Sequence, residues 1–359
     1  MLLRKSRRSQ NPVPERMTGP QPCRPLPAED LDHVLSHTRH LWDEARCSSF
    51  FITGGTGFFG MWLLESFAHI NDALGLGMRA TVLTRDPERF RQKAPHLAAR
   101  RDLDFVAGDV RDFAFPEGEY RYVVHGATTS GGPVDDLEML ETIIEGTRRV
   151  LDLAATRGTR KFLYISSGAV YGKQPQDLSH IPEDYRGAPD ALDPRSAYGE
   201  GKRVGELFSV LKSRKAGFEA KIARCFAFIG PHLPLDAHFA AGNFIRDAIA
   251  GGPVVIKGDG KSVRSYLYAS DLAVWLWTIL FQGRSGIAYN VGSGEHRSIR
   301  QWAEMVAHPQ GLEVQISSTV DSHASRYVPD VDLANRDLSL AVSVPPLEAA
   351  ARTLSWLKR

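Results

Sequence analysis

Cysteine is scarce in this chain: Cys23, Cys47 and Cys225 are the three in 359 residues. They are scattered, odd in number and lack the C-x-x-C spacing of a zinc site or a redox pair, so no metal is expected and a reducing cytoplasm fits. Long apolar runs are also missing. The longest, Ala273 to Phe281 within "DLAVWLWTILF", falls far short of the roughly 20 residues that span a bilayer. Neither sign of charge dominates: 44 Lys and Arg face 42 Asp and Glu, a formal net charge of +2. That balance argues against a nucleic-acid or membrane-surface partner and points to small-molecule chemistry. The length suits one large α/β domain carrying a smaller lobe.

The first 27 residues are rich in Arg and Pro without a continuous apolar stretch, which predicts a disordered basic tail rather than a secretory signal. From Ala28 the spacing of Leu31, Val34, Leu35, Thr38, Leu41 and Trp42 predicts a helix with one apolar face. His33, His37 and His40 share an adjoining face, but no carboxylate or cysteine stands at ligand spacing, so a solvated face is expected. Then "SSFFIT", "MRATVLT", "LDFVAG", "YRYVVHGA", "RKFLYISS" and "EAKIARCFAF" alternate with helical segments. Alternation of this kind predicts a doubly wound parallel sheet, an α/β fold of the Rossmann type. The expected division is residues 28–231 for the N-terminal helix plus the dinucleotide-binding domain. Residues 232–359 are expected mainly to form a substrate lobe, with segments that can return to the sheet.

The first strand runs into "TGGTGFFG". Gly54, Gly57 and Gly60 match G-x-x-G-x-x-G, in which missing side chains permit a tight turn, approach of backbone to a pyrophosphate and close helix packing. Phe58 and Phe59 open the following helix, whose N–H groups face the phosphates. A dinucleotide is therefore expected. At the end of the second strand, "TVLTRDPERF" puts Thr84 and Arg85 where an acidic ribose ligand commonly sits. Arg85 suits a 2′-phosphate and leans towards NADP, while Asp86 next door still suits the ribose of NAD, so both cofactors stay open. "AGDVRD" places Asp109 and Val110 at a strand end on the adenine side.

"SAYGEGK" supplies Tyr198 and Lys202 at Y-x-x-x-K spacing, which in a helix is one face. A nearby ammonium favours a phenolate, so Tyr198 is expected to exchange a proton with a substrate hydroxyl. Ser167, at the end of a strand in "YISSGAVYG", is its expected partner on the same oxygen.

With "GDVRD", "VVHGAT", "SSGAVYG", "YGEGK", "FIGP", "GNFI" and "VRSYLYASD" added to the glycine loop, the chain from about Phe50 onward resembles a known family. It is similar to the extended short-chain dehydrogenase/reductases of the NAD-dependent epimerase/dehydratase group, which act on nucleotide sugars. The resemblance implies that Ser167, Tyr198 and Lys202 are catalytic and that Ala127 and Thr128 border the nicotinamide. It also implies that Asn243, Arg264 and Arg326 hold a nucleotide-diphosphate sugar, and that a homodimer forms through residues 136–157 and 196–216.

Three departures bear on function. The family's Asn residues are replaced by Ala227 and Ile143, and the Asp-Glu pair that 4,6-dehydratases carry after the catalytic Ser or Thr is Gly168-Ala169. Without a titratable group there, C5 proton removal and loss of the C6 hydroxyl have no agent. The expectation is an NAD(P)-dependent epimerase acting by hydride transfer at sugar C4. The alternatives are an NADPH-dependent 4-ketosugar reductase, then a 4,6-dehydratase or a non-catalytic dinucleotide sensor.

Overall fold

The computed structural model describes residues 22–128, 135–236, 239–317 and 324–358. In chain order its first half contains α1 (Ala28–Thr38), β1 (Ser49–Thr53), α2 (Phe58–Leu74), β2 (Arg79–Thr84), α3 (Pro87–Lys93), α4 (Pro95–Ala98), β3 (Leu103–Ala107) and β4 (Tyr122–His125). There follow α5 (Asp136–Thr156), β5 (Lys161–Ser167), α6 (Ala197–Ala216), β6 (Glu219–Cys225), β7 (Phe228–Ile229), α7 (Ala240–Ile249), β8 (Val254–Ile256), β9 (Val263–Ser265) and β10 (Leu267–Tyr268). The remainder is α8 (Ala269–Gln282), β11 (Ala288–Val291), β12 (His296–Ser298), α9 (Ile299–Ala307), β13 (Val314–Ile316), β14 (Arg326–Tyr327), α10 (Asp332–Leu338) and α11 (Pro346–Lys358).

The main sheet has the order β11-β6-β5-β4-β1-β2-β3, and its pairs are all parallel. A parallel sheet needs helices on both faces, which is why β1, β4 and β5 are almost continuously buried. The order reverses between β1 and β4. At such a switch point the loops after adjacent strands diverge and leave a crevice at their carboxyl ends. The glycine loop, Ala127-Thr128 and Ser167 all follow strands at that edge. β11 arrives from the C-terminal half to complete the sheet beside β6. The smaller sheets, β12-β9-β14, β13-β8 and β10-β7, carry the segments after Cys225.

One apolar cluster joins the two halves. Trp277 of α8 packs edge-on to Trp42 at 5.0 Å and donates its indole N–H to Ser66 Oγ at 2.9 Å, and both tryptophans are fully buried. Trp275 is buried as well and donates to the Ala341 carbonyl. α1 docks on this body through polar contacts: buried Asp30 accepts from the Tyr268 hydroxyl and Arg352, and His33 pairs with Asp271 at 3.0 Å. His33 is therefore a hydrogen-bond partner of buried Asp271 rather than a member of a solvated face. Among the described residues no group of histidine, cysteine or acidic side chains is arranged to hold a metal. Of the expected tail, residues 1–21 lie outside the described residues. Cys23 donates its N–H to the Lys93 carbonyl, and Leu26 donates to buried Glu65 at 2.6 Å.

Candidate active site

The expected dinucleotide cradle has a backbone geometry that calls for glycine. Gly54 has φ +74°, and a Cβ there would lie 2.6 Å from the Gly126 carbonyl carbon and oxygen and 2.8 Å from Ala127 N. A Cβ at Gly60 would lie 2.2–2.4 Å from backbone atoms of Gly54 and Gly55, so α2 packs onto the turn as closely as a helix can. At Gly57, which precedes α2, the nearest atom would be 3.6 Å away. Nothing inside the protein forbids a side chain at Gly57, and the open space there fits a pyrophosphate at the helix N-terminus. Phe58 and Phe59 are half-buried, Phe59 lying edge-on to Phe228 at 5.0 Å. Sequence reasoning missed Lys93, whose ammonium reaches back from α3 to the Thr56 carbonyl of the loop at 2.7 Å.

Of the residues expected at the adenine side, Arg85 is exposed and makes no hydrogen bond or ion pair among the described residues. Asp86, also exposed, caps α3, its Oδ1 accepting from Arg89 N at 2.8 Å. Asp109 is gripped by Arg111 through Nε and Nη2, which, with an added backbone hydrogen bond, holds its carboxyl below the usual range. Val110 is buried against Gly146 of α5. Its side chain is therefore a packing group.

On the other flank, Ala127 N donates to Thr53 Oγ1 at 3.2 Å, and that hydroxyl pairs with His125 Nδ1 at 2.7 Å. His125 Nε2 pairs with Thr147 Oγ1 at 3.1 Å, and full burial pushes its pKa down to about 3. A neutral imidazole thus ties β1, β4 and α5 together directly beneath the Ala127-Thr128 turn. The strand pattern "YVVH" gave no hint of this role, because it depends on partners 22 and 72 residues away. The Thr128 hydroxyl is buried without a partner among the described residues, the state expected of a group that binds a ligand. The cradle, the open side at Gly57 and this orphaned hydroxyl fit a nicotinamide dinucleotide.

Ser167 ends β5 with its Oγ accepting from Ala169 N at 3.1 Å. Tyr198 lies in the first turn of α6, and Lys202 is one turn on. The Lys202 ammonium donates to the Ile165 carbonyl at 2.9 Å, sits 5.0 Å from the Tyr164 ring centre and 5.9 Å from that of Tyr198. The three expected catalytic side chains are thus brought together. Their acidity differs from the expectation. Burial pushes the Tyr198 phenol up, hydrogen bonding with Ser167 pulls it back in part, and Cys225 adds to the rise. Burial also lowers Lys202, to about 8. By its own residues the site therefore keeps Tyr198 protonated at neutral pH.

That burial makes a stability prediction. Below its folded pKa Lys202 is charged in both states and the folded state bears the desolvation cost. Between about 8 and 10.5 the unfolded state binds more protons, so stability rises with pH across that window. Lys202→Met is expected to exceed wild type at pH 7 by on the order of 2–3 kcal/mol, with the gap closing as pH rises from 8 to 10.5. Denaturant unfolding at several pH values measures it, and a gap that does not change with pH would refute it.

Behind the site a buried network fixes the strands. Ser166 Oγ donates to Glu206, Arg224 forks onto both Glu206 oxygens at 2.9 and 2.7 Å, and Arg224 also donates to the Tyr171 hydroxyl, which donates to Asn290. The network links β5, α6, β6 and β11. Ile143 is fully buried against Gly201 of α6, so apolar packing stands where the family's asparagine is polar. The Ala227 carbonyl accepts from Leu267 N at 3.0 Å.

Of the expected substrate ligands, Arg264 and Arg326 lie on adjacent parallel strands, with Val263 opposite Arg326 and Arg264 opposite Tyr327. Arg264 donates to the Val263 and Ser325 carbonyls and to Ser325 Oγ, and burial lowers its pKa. Among the described residues neither arginine has a carboxylate partner and Arg326 Nη1 is buried without a hydrogen-bond partner. Two cations held this way suit a diphosphate. Asn243 is engaged within α7, accepting from Arg246 at 3.2 Å.

The space after Ser167 is not empty. A Cβ on Gly168 would lie 2.6 Å from the Tyr327 hydroxyl and 2.8 Å from the edge of the Phe226 ring. A phenol therefore stands over the position where dehydratases carry a carboxylate.

Comparison with known proteins agrees with this geometry. The model of the NAD dependent epimerase/dehydratase family matches residues 50–292. UDP-glucuronic acid decarboxylase 1 of Xenopus tropicalis is 28% identical over 314 residues, covering 86% of this chain and 72% of the relative. The crystal structure of a dTDP-glucose 4,6-dehydratase from Streptomyces venezuelae, with NAD bound, superposes with a TM-score of 0.73 at 25% identity over 86% of this chain and 97% of the other. UDP-glucuronic acid 4-epimerase from Bacillus cereus, in complex with NAD, shares the fold with a TM-score of 0.72 at 21% identity, covering 86% and 96%. With its glycine loop, its Ser-Tyr-Lys group and the family model spanning more than half its length, this chain is an enzyme and belongs to the NAD dependent epimerase/dehydratase family.

Proposed function

We propose that this enzyme is a C4 epimerase of a nucleotide-diphosphate sugar, working through a 4-keto intermediate. The observation that carries the reading is the neighbourhood of Gly168. The relatives include decarboxylases and dehydratases, but here the space beyond Ser167 is filled by the Tyr327 hydroxyl and the Phe226 ring instead of a carboxylate. A phenol held protonated by burial is a weak candidate for removing a C5 proton. What the residues support is proton exchange at one hydroxyl by Tyr198, with Ser167 hydrogen-bonded to the same oxygen and Lys202 on the same helix face.

The bound nicotinamide would supply a hydride acceptor and, when oxidised, a positive charge close to the phenol. As phenolate, the form that positive charge would favour over the protonated phenol set by burial, Tyr198 would take the C4 hydroxyl proton, and the nicotinamide would be the acceptor for the hydride lost from C4. After the keto sugar turned over in the site, Tyr198 would return the proton, and the reduced nicotinamide would supply the hydride to the opposite face. Arg264 and Arg326 keep the diphosphate in place while the sugar turns. No net redox change results.

A single-pass 4-ketosugar reductase is the second reading. It is favoured by Arg85, which is exposed just after β2 and next in sequence to Asp86, the cap of α3. Denaturing the purified protein and identifying the released dinucleotide separates the two: NAD retained through purification supports the epimerase, and a site that fills only with added NADPH supports the reductase. Incubation with UDP-, dTDP-, GDP- and CDP-sugars followed by NMR is expected to yield a C4 epimer. A 6-deoxy-4-keto product or loss of carbon dioxide would overturn the proposal.

The same reading includes a cytoplasmic homodimer. Leu207 and Leu211 of α6 and Leu137 of α5 stay 54–63% exposed, and the first two share a helix face. The variant Leu207→Lys with Leu211→Lys is expected to sediment as a monomer where the parent is a dimer. An unchanged dimer would rule out this face.

A further inference from the structure

Tyr327 was no part of the expected site, and its surroundings suit more than a filler of space. Its strand is fastened from both sides: Ile181 N donates to the Val328 carbonyl at 2.9 Å, Val328 N donates to Gln174 Oε1 at 2.9 Å, and Asp330 N donates to the Ile181 carbonyl. The ring packs on Phe226 with centres 4.6 Å apart. The hydroxyl occupies the room that the missing Gly168 side chain leaves, beside the Ser167 hydroxyl. Any side chain at position 168 would compete for that room, so a phenol seated here from position 327 requires a glycine at 168.

Counting hydrogen bonds then assigns directions. A serine hydroxyl has one proton to give and two lone pairs to receive. Ala169 N–H takes one lone pair of Ser167. If the Tyr327 O–H takes the other, the Ser167 proton is left with one destination, the oxygen on which Tyr198 also acts. Burial holds the Tyr327 phenol well above its ordinary pKa, so it remains a donor at neutral pH.

Building on Tyr198 as the acid–base group, we propose that Tyr327 is a positioning residue whose hydroxyl, housed over Gly168, donates to Ser167 and so aims the Ser167 proton at the Tyr198 oxygen and the substrate oxygen. Losing that donor lets Ser167 turn its proton towards other acceptors, and a phenolate that loses a hydrogen bond becomes harder to form. The other titratable groups facing Tyr198 are Lys202 on its own helix, Tyr164 on β5 and Cys225 on β6. Arg264 faces Tyr327 from β9.

The test titrates tyrosinate absorbance from pH 6 to 11 in the full-length protein saturated with NAD⁺. Subtracting the same titration of Tyr198→Phe isolates Tyr198. Tyr327→Phe keeps the ring and its packing on Phe226, and is expected to raise the Tyr198 midpoint by about one unit, a tenfold loss of phenolate at pH values below it. Gly168→Ala, whose methyl displaces the hydroxyl, is expected to shift it in the same direction. Circular dichroism checks that both variants fold. Midpoints unchanged in Tyr327→Phe would overturn the role of Tyr327 while leaving Tyr198 as the acid–base group. Failure of Tyr198→Phe to remove any titration would overturn both.

Discussion

Tyr198→Phe is expected to lower turnover by roughly 10²–10⁴-fold, the usual worth of a positioned acid–base group, while leaving dinucleotide affinity within about threefold. The substitution deletes one oxygen and keeps the ring, so α6 packs as before. What disappears is the atom that exchanges a proton with the C4 hydroxyl. Lys202 cannot replace it, since its ammonium is buried and bound to the Ile165 carbonyl. Ser167 cannot either, because at neutral pH a serine hydroxyl relays a proton but does not hold a charge. Single-turnover measurement with the nucleotide sugar that gives product in the NMR screen tests this, and turnover within a factor of five of wild type would sink the mechanism.

Gly54→Ala is expected to cost dinucleotide affinity by a hundredfold or more and stability by about 2–5 kcal/mol, the sum of left-handed backbone strain and overpacking. The new methyl would lie 2.6 Å from the Gly126 carbonyl group and 2.8 Å from Ala127 N. None of these atoms belongs to a flexible side chain. To make room, the glycine loop must separate from the Gly126-Ala127-Thr128 turn, which parts the two walls of the dinucleotide crevice. Gly75→Ala is the control. Gly75 ends the same helix with φ +57°, but no heavy atom lies within 4 Å of its would-be Cβ. It should show the strain, about 1–2 kcal/mol, and unchanged binding. Calorimetric titration with NAD⁺ and denaturant melts read both quantities, and equal effects at the two glycines would refute the steric argument.

Much of the site was legible because its signals are local. The glycine spacing, the strand before it and the helix after it form one continuous stretch from Ser49 to Leu74, and Tyr198 and Lys202 are one helical turn apart. Local spacing also misled in one respect. A lysine four residues from a tyrosine suggested an acidified phenol, but burial of both groups raises Tyr198 and lowers Lys202. Desolvation is set by what packs around a group and cannot be read from its sequence neighbours. At the adenine end the same letters suit a ribose ligand and a helix cap, and the hydrogen bond from Arg89 N shows that Asp86 forms the cap.

By itself the sequence determined the alternating strands and helices, the glycine-rich turn between the first strand and its helix, and the placing of Tyr198 and Lys202 on one helix face, since each rests on residues that are neighbours along the chain or along one element. Only the tertiary structure decided that His125 braces the Ala127-Thr128 turn through Thr53 and Thr147, that β11 closes the sheet beside β6, and that Tyr327 stands over Gly168. Those features join segments 22 to about 160 residues apart. Contacts at such separations are chosen by the packing of the whole chain, and a pattern of adjacent residues carries no record of them.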